Sequence, residues 1–344
     1  MNKQPRGAVL ILVLWAVAFL TVLAVYLGVG VRQQLQFMAR LEKRERLRLA
    51  AQSGVDKARA VVNCYFNEQN SFLSRKGKQA LFHNPQLFQG IPLGRATVDV
   101  FYLFDGNGGM VENYGVMDEE GKLNVNTAET AELALLFQLV LGYSREAADD
   151  LARFVVDWRK PFSTQLEGFY SDQYYENLEF PYAPKRAAYE RLDELKLVKG
   201  VTPEVYSKLK NFLTIYGSGQ VNLNTASQPV LLALGMGANL SAKIIYARQG
   251  KDGVEGTADD FIFDPLTCNV AAFSSYIPLS AEEIPVLNTF FQSGKVGARS
   301  EYFRVNARAR FAQDQAEKAT LGEIKSIESV FQAKDGKIIY WQEE

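Results

Sequence analysis

An unbroken apolar run from Ala8 to Val31 constrains this chain more than any other feature. It contains no charged residue, histidine, asparagine, glutamine or proline. As a helix it would be roughly 36 Å long, enough to cross a hydrocarbon core of about 30 Å. A cleaved secretory signal has a shorter apolar segment, of about 7–15 residues. The run therefore predicts a retained, single-pass membrane anchor at residues 8–31, with everything after it on one side of the membrane.

The segment after the anchor keeps a helical rhythm as far as Val62, and no proline occurs between residues 5 and 85. Apolar residues recur at helical spacings, with charged residues between them: Leu35, Met38, Leu41, Leu49, Val55, Ala58 and Val62. The pattern fits two separate helices, or one continuous helix of roughly 80 Å whose outer half needs a sheet to cover its apolar stripe. Three glycines each weaken continuity by up to about 1 kcal/mol: Gly28, Gly30 and Gly54.

Strand-like segments lie on both sides of a long helical region. They are rich in β-branched and aromatic residues or alternate with a period of two. The predicted strands are Arg95–Phe104, Val111–Val116, Glu301–Phe311, Leu321–Phe331 and Lys337–Trp341.

A six-residue pattern, apolar-Asn-apolar-Asn-Thr-Ala, occurs at residues 123–128 and again at 221–226. Each copy precedes two helical segments, and its Asn or Thr is expected to cap the first of them. The pattern predicts an α+β fold, with the long helix packed on an antiparallel sheet in a pilin-like domain that consists of residues 32–126 and 299–344. A large all-α domain, residues 127–298, is inserted between these parts and contains two repeats of the helix-hairpin-helix or SAM-like kind.

Charge and composition limit the function. The whole chain carries a net charge of −1, and residues 127–298 hold 21 acidic and 15 basic residues. An acidic module is a poor partner for phosphate, so no nucleic acid is expected, and a membrane-anchored helix-hairpin-helix DNA-binding protein is only the alternative. His83 is the single histidine, which argues against a serine–histidine triad or a histidine metal site. We expect a protein that is not an enzyme.

Several segments carry a family resemblance. Arg6-Gly7 before a long apolar helix resembles the start of type IV prepilin-like proteins. More specifically, the chain resembles the GspK family (general secretion pathway protein K), the large minor pseudopilins of type II secretion systems, along most of its length. The matching segments are Asp118–Ala128, Val156–Trp158, Leu192–Ile215, Val221–Ala226, Tyr302–Val305 and Tyr340–Glu343.

This resemblance implies that residues 1–7 are a prepilin leader, cleaved between Gly7 and Ala8 by the prepilin peptidase, after which the new N-terminus is methylated. Most pilins carry a glutamate at the fifth mature position, where this chain has Leu12, as GspK proteins do. A carboxylate buried among packed helices needs a cationic partner, and the terminal amine of the neighbouring subunit provides it. A subunit without that carboxylate suits the end of the filament.

The resemblance also implies a function. The protein is expected at the tip of the pseudopilus, helping to initiate its assembly and the export of folded proteins across the outer membrane. The expected partners are minor pseudopilins I and J, the major pseudopilin filament, the inner-membrane secretion platform, the prepilin peptidase and secreted substrates. The expected location is the bacterial inner membrane, single-pass, with the N-terminus cytoplasmic and the bulk periplasmic. Lysine and arginine counts around the anchor favour the reverse, but they are a poor guide when a long domain follows.

Calcium is the one cofactor that the resemblance suggests, because some GspK proteins bind it in the α domain through an acidic run after the second helix. Asp157 occupies such a position here, but Lys160 stands where another carboxylate is expected. Glu167 and Asp172 follow in the next loop and are candidate ligands.

A second acidic cluster, on a loop that contains glycines, also suits a hard cation because it offers several carboxylate oxygens. It lacks the spacing of an EF-hand, and a solvated acidic loop explains it equally well. Its candidate ligands are Asp252, Glu255, Asp259 and Asp260.

Overall fold

The computed structural model describes residues 6–69, 82–106, 109–161, 171–253, 259–263, 269–311 and 324–344. Its first element, α1, is one helix from Arg6 to Gln69. The continuous helix is thus confirmed. The other helices are α2 (Pro85–Phe88), α3 (Thr130–Leu141), α4 (Arg145–Arg159), α5 (Asp172–Glu176), α6 (Pro203–Leu209), α7 (Gln228–Ala233), α8 (Ala238–Gln249), α9 (Val270–Tyr276) and α10 (Glu283–Ser293), with a 3-10 helix at Leu192–Leu197.

Eleven strands are present in the described part of the chain. They are β1 (Ile91–Leu93), β2 (Ala96–Gly106), β3 (Gly109–Asn113), β4 (Met117–Asp118), β5 (Leu123–Asn124), β6 (Leu213–Thr214), β7 (Val221–Asn222), β8 (Val296–Gly297), β9 (Tyr302–Phe311), β10 (Lys325–Gln332) and β11 (Ile338–Glu343). Seven of them form one antiparallel sheet in the order β1-β2-β9-β10-β11, with β3 paired to β2 and β4 paired to β9.

Two predicted strands differ from those observed. The strand predicted at Val111–Val116 ends already at Asn113, because the chain leaves β2 there and pairs with β9 at Met117 and Asp118 instead. The strand predicted to begin at Leu321 begins at Lys325, and residues 321–323 lie outside the described part.

The outer half of α1 lies on the sheet. Its buried residues recur every three or four positions, which places them on one face of the helix. Gly54 lies at the closest approach, where a Cβ atom would be 2.6 Å from Cγ1 of Val98 and 3.1 Å from Cβ of Ala307. The buried face consists of Leu47, Ala51, Val55, Ala58 and Val62.

The helical insert leaves the sheet after β4 and returns at β9. Inside it, β5 pairs in parallel with β6, and β7 pairs in parallel with β8. A boundary at residue 127, predicted from the repeat, therefore falls inside the insert, because Leu123 and Asn124 pair with Leu213 and Thr214. The insert has its own hydrophobic core, separate from the core between α1 and the sheet.

The insert lies at the end of the sheet remote from the apolar run. Arg48 of α1 is 3.7 Å from the Glu343 carboxylate, near the end of β11, whereas Arg59 donates to the carbonyl of Gly336 at 3.0 Å. Gly336 adjoins the end of β10, where Gln332 pairs with Tyr302, the first residue of β9. The chain thus re-enters the sheet close to the C-terminal half of α1, so the insert projects away from the anchor.

Candidate functional site: the anchor helix and the junction of the insert

The N-terminal part of α1 extends away from the sheet and is exposed over most of its length. From Val9 to Arg46 every residue is exposed, and Leu12 is 70% exposed. Within the described residues this is the one helix long and apolar enough to cross a membrane. Gly7 and Ala8 lie in its first turns. The geometry fits a single-pass anchor that continues as a free helical surface before α1 reaches the sheet at Leu47.

The second notable region is the junction, defined as residues 118–122 and 300–304, where the chain enters and leaves the insert. Asp118 is buried, and its Oδ2 accepts hydrogen bonds from the Ser300 hydroxyl at 2.6 Å, the Thr225 hydroxyl at 2.5 Å and the Asn222 amide at 2.9 Å. Burial raises the pKa of Asp118, although these donors oppose the rise. One carboxylate thus joins the sheet to the second repeat.

Glu119 is fully buried at the junction but paired. Its Oε1 accepts from Nε of Arg304 at 2.6 Å and from Nζ of Lys122 at 2.7 Å, and its Oε2 accepts from the Thr214 hydroxyl at 2.6 Å. Burial by itself would raise the pKa of Glu119, but the two cations outweigh burial and lower the pKa to about 2. This cluster joins β9 to the first repeat through β6.

Glu120 follows Asp118 and Glu119 in the sequence. Unlike Glu119, it has no cation among its hydrogen-bond donors in the described part of the chain. Its Oε2 accepts from the backbone N–H groups of Glu301 and Tyr302. Burial and the nearby Asp118 charge raise the pKa of Glu120 to about 7, against the pull of those N–H groups. Gly217 (φ +80°) packs against it, so close that a Cβ atom at Gly217 would be 2.5 Å from Oε1.

The two sequence repeats have equivalent structures. Asn126 donates to the Tyr189 carbonyl at 3.0 Å and accepts from the Tyr189 N–H at 2.8 Å. Asn224 makes the same pair of bonds with Phe263, both at 2.9 Å. The predicted capping role of these residues is wrong: α3 is capped by Glu129, whose N–H donates to Glu132, and α7 begins after Ser227. The asparagine side chains bond distant backbone instead.

An arginine supports each repeat in the same way. Arg159, at the end of α4, donates to the Ala128 carbonyl, and Arg248, near the end of α8, donates to the Ala226 carbonyl at 2.5 Å. Ala128 and Ala226 are the last residues of the two repeat motifs. The second helix of each pair is thereby fixed to the loop before the first helix.

The first group of predicted calcium ligands is occupied by an arginine. Arg186 lies between Asp157 and Asp172, with Nη1 2.5 Å from Oδ1 of Asp157 and Nη2 2.9 Å from Oδ1 of Asp172. The Ser171 hydroxyl donates to the other Asp157 oxygen. Glu167 lies outside the described residues. These side chains do not fit a divalent cation, because a guanidinium already fills the space between the carboxylates.

The second group is described only in part, since Glu255 lies outside the described residues. Oδ2 of Asp259 accepts from the backbone N–H groups of Lys251 at 2.5 Å and Asp252 at 3.3 Å, and Asp260 is buried. Among the described residues, no three histidine, cysteine or acidic side chains are grouped as a metal ion requires. Calcium at this loop stays a prediction.

Of the described aromatic residues after α4, Tyr175 and Tyr189 are buried inside the insert, whereas Tyr174 and Tyr182 are more exposed. Tyr175 is buried, with ring centroids 5.8 Å from Trp158 and 5.3 Å from Tyr182. Phe180 is different, because 80% of it is exposed.

Taken together, the long apolar helix, the antiparallel sheet against its outer half and the bulky insert define a pilin-like architecture with a candidate membrane anchor. Residues 115–218 match a family model described as type II secretion system protein K, first domain. This match confirms the resemblance to GspK-type minor pseudopilins, and it covers residues 118–122 of the junction and the first repeat. The protein K family is a structural component of the secretion system.

A solved structure shares the fold. It is a chain in the crystal structure of the GspK-GspI-GspJ complex from the type 2 secretion system of enterotoxigenic Escherichia coli. The two chains are 14% identical and superpose with a TM-score of 0.60, covering 89% of this chain and 99% of that one. No curated protein sequence matches the chain. Neither similarity supports the DNA-binding alternative.

Proposed function

We propose that this protein is the tip subunit of a type II secretion pseudopilus and helps to initiate its assembly. The observation that carries the proposal is the position of the insert at the end of the sheet remote from the anchor helix. In a filament whose subunits pack through their N-terminal helices, such a subunit can bind neighbours on the side of its anchor helix. Its helical insert, with two helix-hairpin-helix-like pairs, blocks the addition of a subunit above.

The proposed partners are minor pseudopilins I and J, and the exposed length of α1 is the surface proposed to bind them. Every residue from 9 to 46 is exposed, and apolar side chains such as Leu35 (62% exposed) and Met38 (66% exposed) lie beyond the apolar run. The solved complex of the same fold contains GspI and GspJ. We propose that α1 contacts the major pseudopilin filament and the inner-membrane secretion platform through residues nearer its N-terminus.

Processing follows from the same proposal. Cleavage between Gly7 and Ala8 would place Leu12 at the fifth mature position, where no carboxylate is available for a neighbour's terminal amine. The anchor would lie in the inner membrane, with the N-terminus cytoplasmic and the sheet and insert periplasmic. A Gly7→Leu variant is expected to stay membrane-bound and unprocessed by the prepilin peptidase. Normal processing of that variant would contradict the proposal.

The decisive experiment uses the full chain in detergent, co-expressed with candidate I and J subunits. We expect a stable complex from the wild-type chain. Replacing Leu35 and Met38 by aspartate should abolish it, whereas replacing exposed Leu139 (43% exposed) on the insert should not. Gold labelling of the insert is expected at one end of assembled pseudopili. Labelling along the whole filament would refute the tip position, and failure to form any complex would refute the choice of partners.

Contact with secreted proteins is proposed at the exposed aromatic edge of the insert. Phe180 and Leu197 (48% exposed) lie on segments joined by the hydrogen bond from the Tyr182 hydroxyl to the Leu197 carbonyl, at 2.7 Å. Phe180→Ala should lower secretion while leaving the complex with I and J intact. Unchanged secretion would remove this role.

A further inference from the structure

Arg186 is unusual in its backbone as well as in its contacts. Among the described residues it is the one non-glycine with a left-handed backbone, at φ 55°. An L-amino acid with a Cβ atom rarely adopts this conformation, and it persists where surrounding contacts fix it. Its own N–H donates to the Trp158 carbonyl at 2.8 Å, which fixes the backbone at the end of α4.

The side chain of Arg186 joins two carboxylates from different elements. Nη1 bonds to Oδ1 of Asp157 at 2.5 Å and to the Asp157 carbonyl at 3.2 Å, while Nη2 bonds to both oxygens of Asp172, at 2.9 and 3.0 Å. Asp157 is 1% exposed, and the side chain of Arg186 is 13% exposed. A buried carboxylate needs a cation close to it, and the planar guanidinium supplies one together with several directed donors.

These contacts connect α4, which carries Asp157, with α5, which begins at Asp172, and with the loop that leads to Tyr189. Tyr189 in turn is bonded to Asn126 of the first repeat. If the guanidinium were absent, a divalent cation could join the same elements, because it would draw oxygen ligands from Asp157, Ser171 and Asp172.

We propose that the guanidinium of Arg186 does in this chain what a divalent cation would do, so that the order of residues 171–189 is independent of calcium at this position. The proposal goes beyond the secretion role and does not depend on it. It concerns the Asp157–Arg186–Asp172 bridge alone and makes no statement about the loop at residues 252–260.

The test compares melting midpoints and backbone hydrogen exchange of the full chain in detergent, in millimolar calcium and in EDTA. Arg186→Gly removes the guanidinium while retaining a residue that tolerates the left-handed backbone. Arg186→Lys keeps the charge but loses the planar fork. Arg153→Ala is the matched control, since Arg153 is an exposed arginine on α4, the helix that carries Asp157.

For the wild type and Arg153→Ala we expect the same midpoint and the same exchange over residues 171–189 in calcium and in EDTA. Arg186→Gly should melt about 10 °C lower in EDTA and exchange faster over residues 171–189. Calcium should recover part of the loss, since the oxygens of Asp157, Ser171 and Asp172 are then available to a cation. Arg186→Lys should lie between the two.

Three results would overturn the proposal. One is slower exchange over residues 171–189 of the wild type in calcium, abolished by Asp157→Asn. Another is an Arg186→Gly variant whose residues 171–189 exchange as slowly as those of the wild type. A third is Arg186→Gly that is destabilised but gains nothing from calcium. If Arg186→Gly does not fold, the wild type and Arg186→Lys still test the proposal. Calcium-dependent exchange over residues 171–189 in the wild type would refute the proposal. So would an Arg186→Lys variant with the same melting midpoint and exchange as the wild type.

Discussion

Arg304 and Glu119 are 185 residues apart in sequence, yet Nε of Arg304 lies 2.6 Å from the Glu119 carboxylate. Arg304 also pairs with Glu328 on the neighbouring strand, and these carboxylates raise its pKa against the effect of burial. The pair therefore connects β9 and β10 with the point where the insert begins.

Arg304→Met should lower the free energy of unfolding by about 3–5 kcal/mol, because it leaves Glu119 buried with only Lys122 to balance its charge. The measurement is denaturant unfolding of the full chain in detergent. Arg310→Met is the matched control on the same strand: its side chain is 53% exposed and its pairing with Asp99 should contribute about 1 kcal/mol or less. Equal losses in the two variants would show that the Arg304 cluster is not a stabilising element.

Glu120 predicts a pH dependence with a definite sign. Its folded-state pKa of about 7 is above the ordinary 4.5, so the folded protein holds this proton more tightly than the unfolded chain. The stabilisation is fully present below about pH 4.5 and is lost as the pH rises to about 7, a change of about 3 kcal/mol. Glu120→Gln should remove this slope, while exposed Glu179→Gln should keep it. A wild-type slope in Glu120→Gln would assign the titration to another group.

Glu119 predicts the reverse behaviour in a lower window. Its folded-state pKa of about 2 lies below the ordinary 4.5, so its stabilisation is present above about pH 4.5 and lost as the pH falls towards 2. Acid unfolding of the wild type between these values should therefore be steeper than that of Glu119→Gln. Parallel acid unfolding curves would contradict the ion pairs with Arg304 and Lys122.

Gly54 predicts a packing effect that opposes helix propensity. Alanine is the better helix former by up to about 1 kcal/mol, but its Cβ atom would lie 2.6 Å from the Val98 side chain. Gly54→Ala should therefore destabilise the pilin-like part by about 1–3 kcal/mol, and Gly54→Val by more. Gly28→Ala is the control, because no atom lies within 4 Å of the Cβ position there. Higher stability of Gly54→Ala would mean that α1 can shift away from the sheet without cost.

Asn126 and Asn224 have equivalent hydrogen bonds in the two repeats, but their replacement is expected to lower stability by different amounts. Asn224 is 1% exposed and Asn126 is half-buried, so Asn224→Ala should cost more of the roughly 1–3 kcal/mol expected when buried backbone groups lose their partners. Thermal unfolding of the full chain measures both, with exposed Asn288→Ala as the control. Loss of stability in only one of the two variants would mean that the asparagines of the two repeats do not play equivalent structural roles.

Features with a local repeat in the sequence could be predicted. The buried face of α1, the strands near each end and the repeats at residues 123–128 and 221–226 all follow from spacing along the chain. The family motif at Asp118–Ala128 marked the entrance to the insert only approximately, because the boundary predicted at residue 127 falls inside the insert. What these residues do could not be predicted, because Asp118, Glu119 and Glu120 take their roles from partners about 100 to 185 residues away.

Arg186 illustrates the same limit. The acidic residues at 157 and 172 are visible in the sequence and suggest a cation, but nothing in the spacing says that the cation is an arginine 14 residues beyond Asp172. Only the path of the loop, with a left-handed residue at its turn, brings that side chain between them.

The pairing of β4 with β9 has a consequence for the order of folding. Asp118 lies opposite Phe303, so the central sheet cannot be completed until two distant parts of the chain meet. Closing so long a loop from a disordered chain costs roughly 5 kcal/mol in entropy. An insert that has already folded holds its two ends together and removes most of that cost. We therefore expect the helical insert to fold first, and the sheet to close on it afterwards.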